Sequence, residues 1–316
     1  MSTLQLIYYG APGTGKSYAV DNLEEIRLAP QEQIFRTTFH PEYTYSDFTG
    51  QLLPVVKNDI ITYDYQRGVF TNALRQAYKD NSKPVYLIIE EMSRGNVAAI
   101  FGDIFQLLDR NDKNVSRYPI RNSLIAKEIP QLDDDDELIM LPANFNILGT
   151  VNTSDQNVFV MDTAFKRRFD WKYIPTDPVI NADGSVYSRD DVDIIINSDT
   201  GDIKTSWHIF YMKLNNFITD RKKGLGLGED KQIGQFFIQF SKSMSEDVIQ
   251  EKFQNKLMQY LWDDVESAIY GNSVRLFKED ITNYSDLYRK LKDRVQVFSD
   301  SFLIYFKNIK LPDNAM

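Results

Sequence analysis

A glycine-rich run near the start of the chain carries the residue types best suited to hold a phosphate. The run is Gly10-Ala11-Pro12-Gly13-Thr14-Gly15-Lys16-Ser17, which fits G-x-x-x-x-G-K-[ST] at every fixed position. Glycines let successive backbone N–H groups turn toward a phosphate, and the start of the following helix adds the positive end of its dipole. In such a run Lys16 reaches the β- and γ-phosphates, and the Ser17 hydroxyl holds Mg²⁺. The run therefore predicts a nucleotide-binding loop with a magnesium ligand at its end.

Two adjacent carboxylates follow the continuous apolar run 85–89. Such a run suits a parallel strand that is buried on both faces. Its carboxyl end, where open α/β sheets place their ligands, carries Glu90 and Glu91. We expect Glu90 to hold the hydration shell of Mg²⁺, and Glu91 to orient or deprotonate an attacking water. The alternative is a solvated strand end without a chemical role.

A second apolar run, 145–151, ends in Asn152. We expect this amide to bind the γ-phosphate or the attacking water from a neighbouring strand. A short helix over 163–169 then carries Arg167 and Arg168 near its end. Cations at a helix carboxyl terminus are stabilised by the helix dipole in any case. By chemistry alone, the pair is therefore either a set of capping charges or a source of an arginine finger.

The elements that must position these groups alternate between strand and helix along the first half of the chain. Strands are predicted at 6–9, 34–39, 60–63, 85–91 and 145–151, with helices at 16–29, 68–78 and 100–108. This alternation favours a doubly wound parallel α/β sheet. From about Pro178 the sequence is mainly helical, apart from turns around a strand-like stretch at 192–196. We predict a nucleotide-binding domain over 1–177 and a helical lid domain with an inserted turn and strand segment over 178–316.

Composition bounds the class of protein. The 316 residues are 42% hydrophobic and 26% charged, as in ordinary globular proteins. The chain has no cysteine, which excludes disulfides and cysteine zinc sites and suits the cytoplasm. No apolar run approaches the ~20 residues needed to span a bilayer, so no membrane association is expected. The net charge of −9 argues against a chain that coats nucleic acid unaided.

Taken together, these stretches resemble the McrB-type AAA+ NTPases of modification-dependent restriction systems. The resemblance covers most of the chain. Besides the phosphate loop it rests on Phe39 to Phe48, Gly68-Val69-Phe70, Glu90 to Asn96, Ile100-Phe101-Gly102, Leu148 to Asp155, Arg167-Arg168-Phe169 and Ile233 to Phe237. It implies a P-loop AAA+ fold with a C-terminal helical lid, Mg²⁺-dependent hydrolysis, and a homo-oligomeric ring that we expect to be a hexamer. It also implies an McrC-like endonuclease partner and contact with DNA through the assembled complex.

The resemblance further implies roles for single residues. The catalytic residues that it implies are Glu91, Asn152, Asp155, Arg167 and Arg168, and it places the two arginines at the ring interface. The stretch from Asn152 to Asp155 marks the GTP-hydrolysing members of the family, so GTP is favoured over ATP as the substrate.

This chain departs from the family pattern at a few positions. Glu90 stands where the family usually has Asp, and Gln156 where it usually has Arg. Gln235-Phe236 replaces His-Ser. The first departure bears on metal geometry and hydrolysis, and the second on contact with the stimulating partner.

Two other functions stay open. One is an ATP-dependent, MoxR-like remodeller of protein complexes. The other is a nucleotide-gated ring scaffold with little hydrolysis, which the Glu90 departure leaves open. The chain has no nuclease signature, so DNA cleavage is expected from a partner. It also begins at the nucleotide strand, without the domain that reads modified DNA in the best-known members. Target recognition is therefore expected from another subunit, or the chain is a reduced or truncated form.

Overall fold

The protein is described by a computed structural model, which forms two compact units. The first contains the chain up to Tyr9 together with Lys16–Tyr173, and the second contains Gly10–Gly15 together with the chain from Ile174 onward. The predicted domain boundary between 177 and 178 stays a prediction. No helix within the described part of the chain is long and apolar enough to cross a membrane. The residues described are 3–132, 137–154, 159, 161–181, 183, 185–187, 191–271 and 273–311.

A parallel sheet forms the centre of the first unit. The strands of this unit are β1 (Gln5–Gly10), β2 (Ile34–Thr38), β3 (Gly50–Lys57), β4 (Ile60–Arg67), β5 (Val85–Glu90), β6 (Ile120–Arg121), β7 (Leu138–Ile139), β8 (Phe145–Asn152) and β9 (Asp170–Tyr173). Five of them pair in the order β2-β5-β8-β1-β9. Residues 85–89 of β5 and 145–150 of β8 are all buried, as their apolar sequences predict. The doubly wound α/β fold is confirmed.

The helices of the first unit are short. They are α1 (Lys16–Asp21), α2 (Glu24–Leu28), α3 (Tyr45–Thr49), α4 (Val69–Lys79), α5 (Val97–Phe101), α6 (Ser123–Lys127) and α7 (Thr163–Lys166). The single helix predicted after the glycine-rich run is divided, because Leu23 has an extended backbone between α1 and α2. The helix predicted over 100–108 is also not one continuous α-helix. Gly102 has a φ of 49°, which ends α5, and a 3₁₀ helix continues to Leu108.

A β-hairpin between α3 and α4 extends further than the sequence predicts. Only the segment 60–63 has a strand-like alternation, whereas the structure pairs the whole of β4 with β3 in antiparallel register. The turn uses Asn58 and Asp59 at φ values of 52° and 63°. Positive φ at both central residues is the requirement of a type I′ turn, which Asn and Asp tolerate better than most residues.

The second unit is mainly helical. It contains β10 (Asp193–Ile196), β11 (Ile203–Ser206), α8 (Trp207–Thr219), α9 (Glu246–Lys252), α10 (Met258–Tyr260), α11 (Tyr284–Lys292) and α12 (Asp300–Asn308). The strand predicted at 192–196 is β10, which pairs antiparallel with β11. Helix α8 contributes to this unit's core, in which the rings of Trp207, Phe210 and Phe217 are fully buried. Turns of π-helix precede and follow α10.

Candidate nucleotide-binding and hydrolysis site

Glu90, at the carboxyl end of β5, is held by three side chains of the first unit. The Ser17 hydroxyl on α1 donates to Oε2 of Glu90 at 2.9 Å, and Thr150 Oγ1 on β8 donates to the same oxygen at 2.5 Å. Arg36 on β2 donates from Nη1 to Oε1 at 2.5 Å. Only 13% of the Glu90 side chain is exposed. The carboxylate is therefore fixed among two neighbouring strands and the helix that follows the glycine-rich loop.

The sheet register explains how these groups meet. Strand β5 runs parallel to β8 with Ile89 opposite Gly149, and parallel to β2 with Thr38 opposite Glu90. The polar residues at the ends of these strands therefore share one edge of the sheet, as the fold class predicts. Arg36 lies opposite Ile88, and its long side chain spans the remaining distance to Glu90.

Glu91 has a different set of partners. The Asn152 amide donates from Nδ2 to both carboxylate oxygens of Glu91, at 2.8 and 2.7 Å. Arg94 Nε lies 3.6 Å from Oε2, and the Glu91 N–H donates to Thr150 Oγ1 at 3.2 Å. The backbone of Glu91 is left-handed, with φ 52° and ψ 43°. Because this conformation costs a non-glycine residue about 1–2 kcal/mol, tertiary contacts must maintain it.

The glycine-rich loop has the backbone that its motif requires. Gly13 and Gly15 have φ values of 77° and 89°, in the region that favours glycine. A Cβ on Gly13 would lie 2.5 Å from the Cα of Phe237. The Thr14 hydroxyl donates to the Ala11 carbonyl at 3.0 Å. Glycine at position 13 is therefore needed both for its backbone conformation and for a close packing contact.

The loop belongs to the second unit, where the segment around Gly234 binds it through the main chain. The N–H of Gly234 donates to the Pro12 carbonyl, and the N–H of Phe236 donates to the Gly13 carbonyl, both at 2.8 Å. A Cβ on Gly234 would collide with the backbone of Gly13. These bonds pair two loop carbonyls with backbone N–H groups of the same unit. The conformation of the loop is therefore held by main-chain contacts with Gly234 and Phe236.

The donors at this edge of the sheet fit Mg²⁺. The Ser17 hydroxyl and the Glu90 carboxylate are hard oxygen donors that lie 2.9 Å apart. In nucleotide sites Mg²⁺ is bound by one or two such protein groups, with phosphate oxygens and waters as the remaining ligands. Lys16, which directly follows the loop, is only 7% exposed. The residues present therefore match a triphosphate with its magnesium ion.

The two arginines after α7 have different surroundings. Arg168 Nη2 lies 2.6 Å from Asp109 Oδ2, and the guanidinium carbon lies 4.0 Å from the centroid of the Phe105 ring. The Arg168 side chain is only 9% exposed. Arg167 is exposed and lines a cavity of about 740 Å³ that Asn152 also lines. The structure thus ties Arg168 into the first unit and leaves Arg167 at its surface.

Two predicted residues cannot be placed, and three residues of the site were not predicted from the sequence. Asp155 and Gln156 lie outside the described residues. Arg36, Thr150 and Arg94 also contact the two carboxylates, and the sequence patterns did not predict them. Thr150 precedes Asn152 by two positions on one strand, and this spacing places both on one face and could have indicated it. Arg36 is the only charge in the run 34–39, which is a weaker signal.

Comparisons with known proteins agree with this geometry. Residues 5–169 match the family model for the AAA domain of the dynein-related subfamily. The chain is 35% identical over 286 residues to component YdiS of the type II restriction enzyme BsuMI of Bacillus subtilis strain 168, covering 82% of this chain and 78% of that protein. It is 29% identical over 167 residues to the EcoKMcrB subunit of the type IV methyl-directed restriction enzyme of Escherichia coli K12. That match covers 52% of this chain and 34% of the E. coli subunit.

The residues matched by the family model include the glycine-rich loop, both carboxylates, Asn152 and the two arginines. The similarity to YdiS extends beyond that range, over most of both chains. The chain therefore belongs to the dynein-related subfamily of AAA domain proteins and is an AAA+ protein of the McrB type.

Proposed function

We propose that this McrB-type AAA+ NTPase prefers GTP and forms a hexameric ring motor in a cytoplasmic restriction system. An McrC-type endonuclease supplies DNA cleavage, and DNA is contacted through the assembled complex. Both named relatives are parts of restriction enzymes, which supports this assignment. The observation that carries the hydrolytic part is the bond from the Asn152 amide to both oxygens of Glu91, at 2.8 and 2.7 Å.

The chain's own residues divide the work of hydrolysis. Lys16 neutralises phosphate charge, and the Ser17 hydroxyl and the Glu90 carboxylate hold Mg²⁺. When bound, the ion neutralises charge on the phosphate oxygens. Glu91 orients the attacking water and accepts its proton. Because the Asn152 amide donates to both oxygens of Glu91, it holds the carboxylate in one orientation, while each oxygen keeps a lone pair that can accept that proton. Asn152 therefore positions the base and also restrains it.

Arg167 is the better candidate for a cation that acts on a neighbouring subunit. A trans arginine must reach across an interface, so its side chain has to start from an exposed position. Arg167 is exposed, whereas Arg168 is paired with Asp109 and packed on Phe105. In related phosphoryl-transfer systems such an arginine accelerates turnover by about 10³–10⁵. Hydrolysis would then depend on assembly of the ring.

The preference for GTP rests on the resemblance of the stretch from Asn152 to Asp155. The test is turnover of GTP and of ATP by the purified chain, alone and with an McrC-type endonuclease and DNA. We expect the larger kcat/KM with GTP, and DNA cleavage only when the endonuclease is present. A larger value with ATP would contradict the GTP assignment. Cleavage of DNA by the chain alone would contradict the division of work between subunits.

A nucleotide-gated scaffold is the second candidate. The observation that favours it is that Glu91 has both carboxylate oxygens bonded to one amide, so the base is restrained. A scaffold of this kind would assemble on nucleotide binding and hydrolyse little. Turnover that remains at background with the endonuclease and DNA present, in a sample that forms rings with nucleotide, would support the scaffold over the motor.

A further inference from the structure

Arg36 makes an ion pair with each of two carboxylates. Its Nη1 lies 2.5 Å from Glu90 Oε1, and its Nη2 contacts Asp21 Oδ1. Asp21 is the last residue of α1, whereas Glu90 ends β5. The two carboxylates differ in exposure, because 52% of the Asp21 side chain and 13% of the Glu90 side chain is accessible to solvent. The guanidinium therefore connects an exposed anion with a largely buried one.

The buried anion is also the carboxylate that the proposed function assigns to Mg²⁺. Ser17, the other proposed magnesium ligand, donates to Oε2 of Glu90, while Arg36 occupies Oε1. A guanidinium is charged at every physiological pH. Two cations that share one carboxylate repel each other, and the repulsion is screened less at a largely buried group than at the surface. Binding of a metal ion at Glu90 must therefore weaken or displace the contact from Arg36.

We propose that Arg36 is a positioning residue that competes with Mg²⁺ for Glu90, and that Asp21 keeps the guanidinium when Glu90 releases it. This inference rests on the proposed nucleotide binding. It adds that the contact from Arg36 sets the Mg²⁺ concentration that this binding requires. Displacement breaks only one of the two ion pairs, so the competition is modest and reversible. The coupling is reciprocal: bound Mg²⁺ weakens the contact between Arg36 and Glu90 by the same ratio as that contact weakens the binding of Mg²⁺.

The length of the side chain at position 90 agrees with this arrangement. The Glu90 carboxylate meets Ser17 and Thr150 at one oxygen and Arg36 at the other. Aspartate is shorter by one methylene, so its carboxylate would withdraw toward the β5 backbone. It could not keep all three of these contacts without movement of the neighbouring strands. Glutamate at this position thus keeps the contact with Arg36 together with the contacts to the proposed magnesium site.

The test measures how nucleotide binding depends on free Mg²⁺ in the full chain. The probes are fluorescent, non-hydrolysable analogues of GTP and of ATP, titrated in EDTA and across a range of Mg²⁺. Bound Mn²⁺ is followed by electron paramagnetic resonance as a direct readout of the metal. The variants are Arg36→Gln and Arg36→Lys. The matched control is Arg67→Gln, because Arg67 has a similar ion pair with Glu128 at 2.5 Å and a similar exposure, 35% against 37%.

We expect Arg36→Gln to lower the half-saturating Mg²⁺ by about three- to tenfold, the range for loss of a charge-assisted contact at a partly buried group. Arg36→Lys, which keeps the charge, and Arg67→Gln should stay within about twofold of the parental chain. Affinity for nucleotide in EDTA should not change in any variant. An unchanged or higher Mg²⁺ requirement in Arg36→Gln would overturn the proposal, as would equal effects of Arg36→Lys and Arg36→Gln. A parental chain that binds neither analogue would instead contradict the proposed function.

Discussion

At positions 90 and 91 the same side chain meets two different surroundings. Glu90 contacts hydroxyls and a guanidinium, which suits a carboxylate that helps to hold a cation. Glu91 contacts an amide on the neighbouring strand and has a left-handed backbone. Such strained conformations are found where a side chain must be aimed at a reacting group. The two neighbouring residues can therefore act in different steps.

Replacement of Glu91 tests this division. Glu91→Gln keeps the size of the side chain but removes the base, so nucleotide binding should remain while hydrolysis falls by ~10²-fold or more. Lys16→Ala serves as the comparison variant, because it should weaken nucleotide binding and turnover together. The measurements are nucleotide affinity and single-turnover rate for each variant. Hydrolysis at the parental rate in Glu91→Gln would remove this carboxylate from the chemistry.

Shortening Glu90 gives a second prediction at the scale of one residue. Glu90→Asp should reduce the contact with Arg36, so the Mg²⁺ concentration needed for turnover should stay the same or fall. Glu90→Ala removes the carboxylate and should raise that concentration. The measurement is a Mg²⁺ titration of hydrolysis for both variants. If the titrations of Glu90→Ala and the parental chain were identical, Ser17 would be the only one of the two side chains that binds the metal.

At the scale of elements, the phosphate loop depends on a distant stretch of chain. The carbonyls of Pro12 and Gly13 accept hydrogen bonds from the N–H groups of Gly234 and Phe236. The contact is close because Gly234 has no Cβ. The loop therefore obtains its conformation from two sources, its own glycines and the segment that surrounds Gly234.

Gly234→Ala should weaken nucleotide binding. The added methyl group collides with the backbone of Gly13, and relief of such overpacking costs about 1–3 kcal/mol, which corresponds to about five- to 150-fold in affinity. The control is Gly271→Ala, whose methyl group would meet nothing within 4 Å, although its φ of 65° makes it slightly strained. Affinity is measured where circular dichroism shows both variants folded. Equal nucleotide affinities of Gly234→Ala and Gly271→Ala would mean that the contact at Gly234 does not determine the conformation of the phosphate loop.

At the scale of the whole molecule, the two arginines after α7 should affect different properties. Arg168→Ala breaks the pair with Asp109 and the packing on Phe105, so it should destabilise the fold by about 2 kcal/mol or more. Arg167→Ala should change stability by at most about 0.5 kcal/mol, yet lower turnover by about 10³-fold. Denaturant unfolding and hydrolysis rates separate the two effects. A stable Arg167→Ala that hydrolyses normally would contradict its role in trans.

Assembly provides the last prediction. If Arg167 completes the site of a neighbour, specific activity should rise with protein concentration, and nucleotide should promote the oligomer by mass action. A mixture of Arg167→Ala with Lys16→Ala should recover some turnover, because each variant supplies the half-site that the other lacks. Ultracentrifugation and hydrolysis on the same samples would test this. Hydrolysis by a stable monomer, independent of concentration, would remove the ring from the proposed function.

Much of the site could be predicted because its parts are local in sequence. The glycine-rich loop is contiguous, and the backbone it needs follows from its glycines. Glu90, Glu91 and Asn152 follow apolar runs, and parallel strands end at one edge of a sheet, so their proximity follows from the fold class. Helix lengths were less certain, since Leu23 and Gly102 interrupt apolar spacings that continue past them.

What only the tertiary structure decided is which partner each group has. Arg36 and Thr150 meet Glu90 from 54 and 60 positions away in the sequence, and Asn152 meets Glu91 from 61. Arg167 and Arg168 are neighbours in sequence, yet one is exposed and the other is paired and packed. Periodicity reports which face of an element is apolar, whereas a hydrogen bond depends on strand register and side-chain reach across space. The sequence thus determined the set of reacting groups, and the fold determined which of them are restrained, paired or exposed.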